Sequence, residues 1–321
     1  LYTLSDFGAV SLLRYETFTW AIFVQYESGL DRTLGAALSL ALVAMALGVL
    51  GLEFVSRGRA RYYRSDPGSP RPSRSVHMRW WRWPALGLCV LVLMVSLVLP
   101  ASVLVYWAVR GISAGEPLVL LWGAARNSIV AGGLAATAVV GAALPIAVLV
   151  VRYPGIFSNS LERFTHIGFA LPGIAVALAL VFFSANYAAP IYQSMALLVL
   201  AYVVLFVSPA VGALRTTLLQ ISPRLEEAAR SLGSHPWRVW GSITLPLARP
   251  GIASATALVF LLVMKELPAT LILGPVGFST LATQVWAAAS EAFFAQAAVP
   301  ALMLILLSSV PLAFLILRQR G

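Results

Sequence analysis

The stretch Ile221-Ser222-Pro223-Arg224-Leu225-Glu226-Glu227-Ala228-Ala229-Arg230-Ser231-Leu232-Gly233, continuing as Ser234-His235-Pro236-Trp237-Arg238-Val239-Trp240-Gly241-Ser242-Ile243-Thr244-Leu245-Pro246, decides the fold. It is a polar segment set between two long apolar runs. Ser222 is a good helix N-cap, Pro223 suits the first helical turn, and Glu226-Glu227 complement the positive end of the helix dipole. Ala228 and Ala229 give a small, strongly helical surface on which another protein can sit closely. Gly233 is placed for a left-handed C-cap that turns the chain. A second short amphipathic helix is expected from about Pro236, using Trp237, Val239, Trp240 and Ile243. Pro246 and Pro250 then punctuate the return to apolar sequence.

On either side the chain is built for lipid. Sixty per cent of the 321 residues are hydrophobic and 11% are charged, with a mean hydropathy of +0.88, whereas a soluble domain carries about 25% charged residues. Crossing the hydrocarbon core takes about 20 apolar residues. Seven runs qualify: roughly 33–55, 85–109, 126–151, 164–185, 195–217, 251–273 and 296–317. The expected fold class is therefore all-α, a polytopic membrane helical bundle.

The basic residues orient it. Linker 56–84 holds eight arginines against one acid, Asp66, and a surplus of Arg marks the cytoplasmic side. Alternation then puts Arg152, Arg163, Arg215, Arg224, Arg230, Arg238, Arg249, Arg318 and Arg320 inside as well. The quoted loop and the C-terminus are thus cytoplasmic, and the net charge of +10 belongs to membrane loops instead of a nucleic-acid-binding stripe. The linker's Pro, Ser and Gly content reads as a flexible tether. Trp80-Trp81-Arg82-Trp83 reads as an anchor in the lipid headgroup layer. Cys89 lies in an apolar run and His77, His166 and His235 are far apart, so no disulfide or metal ligand set is expected.

An internal repeat organises the chain. Ser5-Asp6-Phe7-Gly8-Ala9-Val10-Ser11-Leu12-Leu13 lies without gaps on Lys265-Glu266-Leu267-Pro268-Ala269-Thr270-Leu271-Ile272-Leu273. At the same offset Phe18-Thr19 meets Phe278-Ser279, and Tyr26 meets Trp286. Residues 1–55 are accordingly read as the last two spans of a first bundle, with 1–13 the outer part of a span cut short, and 85–321 as a second bundle of six spans. No signal peptide is visible ahead of it.

Glu227-Ala228-Ala229, three residues, Gly233, nine residues, Ile243, one residue and Leu245-Pro246 resembles the loop signature of the permease subunits of type I ABC importers. The resemblance implies a MetI-like permease fold in which this loop is the coupling helix that docks into a cytosolic ATPase dimer. Leu225, Glu227, Ala228, Ala229, Leu232, Gly233, Ile243, Leu245 and Pro246 are the implied coupling residues. Leu4-Ser5-Asp6-Phe7-Gly8-Ala9-Val10, Lys265-Glu266-Leu267-Pro268-Ala269-Thr270 and Arg152-Tyr153-Pro154-Gly155 extend the likeness to the fused two-bundle permeases of ferric iron importers. That likeness implies a bacterial inner-membrane protein receiving ferric iron from a periplasmic binding protein. Thiamine, sulfate and polyamine permeases share the architecture. The chain contains no Gly-x-x-x-x-Gly-Lys-Ser/Thr loop, so ATP and Mg belong to the partner ATPase and the chain is not expected to be an enzyme.

Three charges fall inside apolar sequence: Asp6, Lys265 and Glu266. Such groups face protein or a water-filled path. By the repeat, Asp6 and Glu266 occupy equivalent depths, where they either flank a translocation path that favours a cation or pair with Lys265 to lock the bundles together. An ion-driven secondary transporter would call for more intramembrane acids and no docking loop. A membrane enzyme would need a nucleophile–base pair or a His/Cys/Asp cluster.

Overall fold

The computed structural model describes residues 6–28, 32–56, 79–115 and 119–319, all built of helices and short connections. Most of the linker, residues 57–78, lies outside the described residues, as do residues 1–5. In chain order the helices are α1 (Gly8–Leu12), α2 (Phe18–Ser28), α3 (Arg32–Ser56), α4 (Arg82–Leu93), α5 (Leu99–Ser113), α6 (Val119–Arg152), α7 (Ile156–Ala170), α8 (Gly173–Tyr187), α9 (Met195–Gln220), α10 (Pro223–Ser231), α11 (Pro236–Val239), α12 (Leu245–Met264), α13 (Pro268–Leu273), α14 (Leu281–Ser290) and α15 (Phe294–Gln319). One π-helical turn, Met94–Val98, joins α4 to α5, and another, Trp240–Thr244, joins α11 to α12. Among the described residues six helices are long and apolar enough to cross a bilayer, or seven if the bent pair α7–α8 counts as one span.

The core is the packing of α6, α9 and α12 against one another. Their contact faces are small: Ala135, Ala143, Ala147, Ala201, Ala210 and Ala255 are all completely buried. Lipid tails are as apolar as Leu, so helices in a membrane associate through close van der Waals packing, and small side chains permit it. Gly251 of α12 and Gly168 of α7 take this furthest. A Cβ at residue 168 would stand 2.5 Å from the carbonyl oxygen of Val204.

Two apolar runs that the sequence predicts as straight spans are broken. The run 164–185 splits into α7 and α8, bent by 101°. Leu171 precedes Pro172 and takes an extended conformation (φ −71°, ψ 134°), because the proline ring disfavours helical geometry in the residue before it. The run 251–273 ends its first helix at Met264 and restarts at Pro268, a residue with no N–H to continue the ladder. The Thr270 hydroxyl donates to the carbonyl of Glu266 at 2.7 Å. The expected separate amphipathic helix after Pro236 is also corrected: α11, the π turn and α12 form one continuous helical segment, Pro236–Met264.

Helices α1, α2 and α3 succeed one another as a very short, a short and a long helix, and α13, α14 and α15 repeat that order 260 residues on. The first set packs on the body through α1 against α14, α2 against α8, and α3 against α7 and α8. Phe7, Trp20, Phe23 and Trp286 form an aromatic cluster at the seam, with ring centroids 4.9 to 6.4 Å apart. The Trp286 indole donates to the Ser11 hydroxyl at 3.1 Å. By contrast α4, the π turn and α5 expose most of their apolar surface, touching the body chiefly where α5 meets α15.

Candidate functional site

The segment between α9 and α12 presents one face outward and anchors the other. Helix α10 is nine residues long with Pro223 in its first turn. Ser222 holds the N-cap position, but its hydroxyl makes no capping bond, so the expected cap is one of backbone geometry only. The other end is a full Schellman closure. Gly233 takes φ +85°, its N–H donates to Arg230 O at 2.9 Å, and the Ser234 N–H reaches Ala229 O at 3.1 Å.

Residues 225, 228, 229 and 232 follow the i, i+3, i+4, i+7 spacing of one helix face. Here Leu225 and Leu232 are 49% and 86% exposed, Glu227 and Ala228 are exposed, and Ala229 is half-buried. Leu225, Ala228 and Leu232 thus line up as an exposed apolar stripe, and the exposed Glu227 lies on another side of the helix. Ile243, Leu245 and Pro246 do not join this stripe. They are half-buried in the π turn and the first turn of α12, so their place is in the segment that carries α10.

The buried side of α10 brings together three residues whose roles the sequence did not reveal: Glu226 of α10, Arg152 of α6 and Thr244 of the π turn. Glu226 is 9% exposed. Its Oε1 accepts from Arg152 Nε at 3.1 Å and from the Thr244 hydroxyl at 2.9 Å, and Arg152 Nη2 stands 2.9 Å away as an ion pair. Arg152 Nη2 also donates to the carbonyl of Ile221 at 3.1 Å. Helix periodicity gave no signal for Glu226, since Glu227, which is exposed, lies at least as far round the helix from Leu225, Ala228 and Leu232.

The second candidate site lies at the two chain breaks. Asp6, Lys265 and Glu266 all border one cavity of about 270 Å³, together with Phe206, Leu12 and Trp286. Asp6 and Glu266 are half-buried and Lys265 is exposed. Glu266 sits against the first turn of α8: a Cβ on Gly173 would be 2.7 Å from its Oε1. The same oxygen accepts the Ala269 N–H at 3.3 Å. Below it, Tyr202 and Thr270 share a 2.7 Å hydrogen bond. Because the Thr270 hydrogen goes to the Glu266 carbonyl, Tyr202 is the donor. A wider space of about 1100 Å³, bordered by Arg14, Glu16 and Trp107, shares Leu12, Val285 and Trp286 with this cavity. Among the described residues no three His, Cys, Asp or Glu side chains are grouped as metal ligands.

A helical membrane bundle with a polar helical segment set between two of its core helices is the class these features define. Residues 140–320 match the family of binding-protein-dependent transport system inner membrane components, and the chain belongs to that family. It is 37% identical to the Fe(3+)-transport system permease protein FbpB 2 of Haemophilus influenzae, over 98% of this chain and 63% of that protein. It is 28% identical to the putative 2-aminoethylphosphonate transport system permease protein PhnV of Salmonella typhimurium over 50% of this chain and 60% of that one. The molybdenum transport system permease protein ModB of Escherichia coli is 44% identical over 23% of this chain and 32% of its own length. The chain therefore spans less than two thirds of these relatives. Among solved structures, the inward-facing MetNI methionine ABC transporter aligns with a TM-score of 0.46 at 19% identity, over 67% of this chain and 96% of that one.

Proposed function

We propose that this chain is the membrane permease part of an ATP-binding-cassette importer that takes ferric iron from a periplasmic binding protein and releases it in the cytoplasm. Separate ATPase subunits, which hold ATP and Mg, dock around the exposed surface of α10 and its C-terminal turn, at Leu225, Glu227, Ala228, Ala229, Leu232 and Gly233. Ile243, Leu245 and Pro246 hold that segment to α12. Residues 1–55 act as the end of one bundle and 85–321 as a second, with linker 56–84, the α10 hairpin and the C-terminus on the cytoplasmic side of the inner membrane.

The observation that carries the iron reading is the relationship with the ferric permease over 98% of this chain. The cavity supports it, since Asp6 and Glu266 bring negative charge to a path where a cation would pass. The partial likenesses to molybdenum and aminoethylphosphonate permeases favour a second reading, an anionic substrate. Uptake of radiolabelled ferric iron by cells making the complete transporter, in competition with molybdate and 2-aminoethylphosphonate, separates the two. Iron accumulation that depends on this chain supports the first reading. Molybdate or phosphonate accumulation in its place would overturn it. Retention of the ATPase on purification, and its loss in Glu227→Arg, tests the docking face.

A further inference from the structure

We infer that Glu226, Arg152 and Thr244 form the link through which movement of the docking helix α10 reaches the three core helices; the inference rests on the docking role proposed for that helix. The geometry is convergent. Arg152 is the last residue of α6, Glu226 lies in α10, and Thr244 ends the π turn that opens into α12. Arg152 also holds the carbonyl of Ile221, where α9 ends. One carboxylate oxygen therefore joins α10 to the ends of α6 and α12, and through the arginine to α9 as well. Those three helices are the ones that pack on one another to make the core.

The close neighbours of α10 are α11 and the π turn. A cavity of about 470 Å³ bordered by Leu149, Arg152, Glu226, Trp237 and Trp240 leaves that side without tight apolar packing. The side chains of Arg152 and Glu226 are only 11% and 12% exposed, so the pair is little screened by water or salt. Stability alone does not call for such a pair, because a buried ion pair is often matched or bettered by apolar residues of similar volume. What directional, charge-assisted hydrogen bonds add is a fixed geometry. A push or pull on the exposed face of α10 is then transmitted as a rigid displacement and is not absorbed by rotation of the hairpin.

The test uses the whole transporter, with its ATPase subunits, reconstituted in vesicles and supplied with ferric iron on the binding protein. Uptake and ATP hydrolysis are measured on the same preparation. In Glu226→Gln the ATPase stays bound and hydrolysis continues, but uptake per ATP hydrolysed falls by about tenfold, within the usual range of coupling between sites. Thr244→Val, which keeps shape and loses one bond, lowers the same ratio less, and Thr244→Ser restores it; these two carry the test should Glu226→Gln not assemble. An unchanged ratio in Glu226→Gln or Thr244→Val would overturn the proposal. So would uptake and hydrolysis falling in equal proportion, the mark of a merely structural role. Glu227→Arg, on the exposed face, keeps the two ideas apart. If that variant retains the ATPase, the docking reading itself fails; if it loses the ATPase while Glu226→Gln transports with normal coupling, only the link fails.

Discussion

Replacing Gly251 with alanine is the sharpest probe of how this bundle holds together. Gly251 is buried in α12 against Thr217 of α9. A Cβ added there would stand 2.5 Å from both Cβ and Cγ2 of Thr217, and closer still to its hydroxyl. Rotating the threonine does not help, because its own Cβ is fixed to the backbone. Carbon atoms pack at about 3.5 Å or more, so α9 and α12 must part by about 1 Å. A gap of that size forfeits between a quarter and a half of each contact's dispersion energy along the seam. Overpacking costs typically 1–3 kcal/mol, and a clash with a fixed atom belongs at the upper end, about 3 kcal/mol. At roughly 2 °C per kcal/mol for a chain of this size, the melting temperature in detergent falls by about 6 °C. Adding Thr217→Gly removes the obstructing carbon at a helix-propensity cost of about 1 kcal/mol, so the double variant recovers most of the loss. The assay is the fraction of monodisperse protein left after heating, by size-exclusion chromatography. Gly251→Ala melting with the wild type, or no recovery in the double variant, would refute the reasoning.

Three further outcomes follow from the same geometry. Tyr202→Phe removes the donor to Thr270 in a buried site and costs about 1 kcal/mol, read in the same melting assay; a melt unchanged from wild type would place the Tyr202 hydroxyl elsewhere. Gly233→Val forces a branched side chain into φ +85° at a cost of about 1–2 kcal/mol local to the hairpin, so the ATPase is lost on purification while the membrane bundle melts normally, and a retained ATPase would count against the Schellman closure as the shaping element. Asp6→Asn and Glu266→Gln each lower ferric iron uptake by roughly tenfold, the lower end of what local charge does to the capture of ions, with the ATPase still attached. Wild-type uptake in both would remove these acids from the path.

What was legible in the sequence was what local chemistry dictates. Residue-by-residue hydropathy located the spans, because lipid leaves a helix no other way to satisfy its backbone. The spacing of Pro223, the alanines and Gly233 located helix α10 and its end, because capping is a matter of a few adjacent residues. The repeat between 5–13 and 265–273 was legible too, and the succession α1–α3 returns as α13–α15. The breaks were misread even though their cause, a proline after Leu171 and another after Leu267, stands in the sequence. Hydropathy averages across a proline and takes no account of the conformation of the residue before it.

The roles of neighbouring glutamates show where sequence stops. Glu226 and Glu227 are adjacent and chemically identical, and composition, charge and cap position treat them alike. The sequence by itself determined that a short helix carries both on the polar side of a membrane bundle, and that consecutive residues must point in different directions. Only the tertiary structure decided that Glu226 turns inward. The end of α6, 74 residues earlier, delivers a guanidinium to that point, and Thr244, 18 residues later, delivers a hydroxyl. Likewise, Asp6 and Glu266 become one cavity's lining only because α1 packs on α14. Side-chain spacing is set by the local helix, whereas the partner a buried charge finds is set by which distant helix ends the packing brings together.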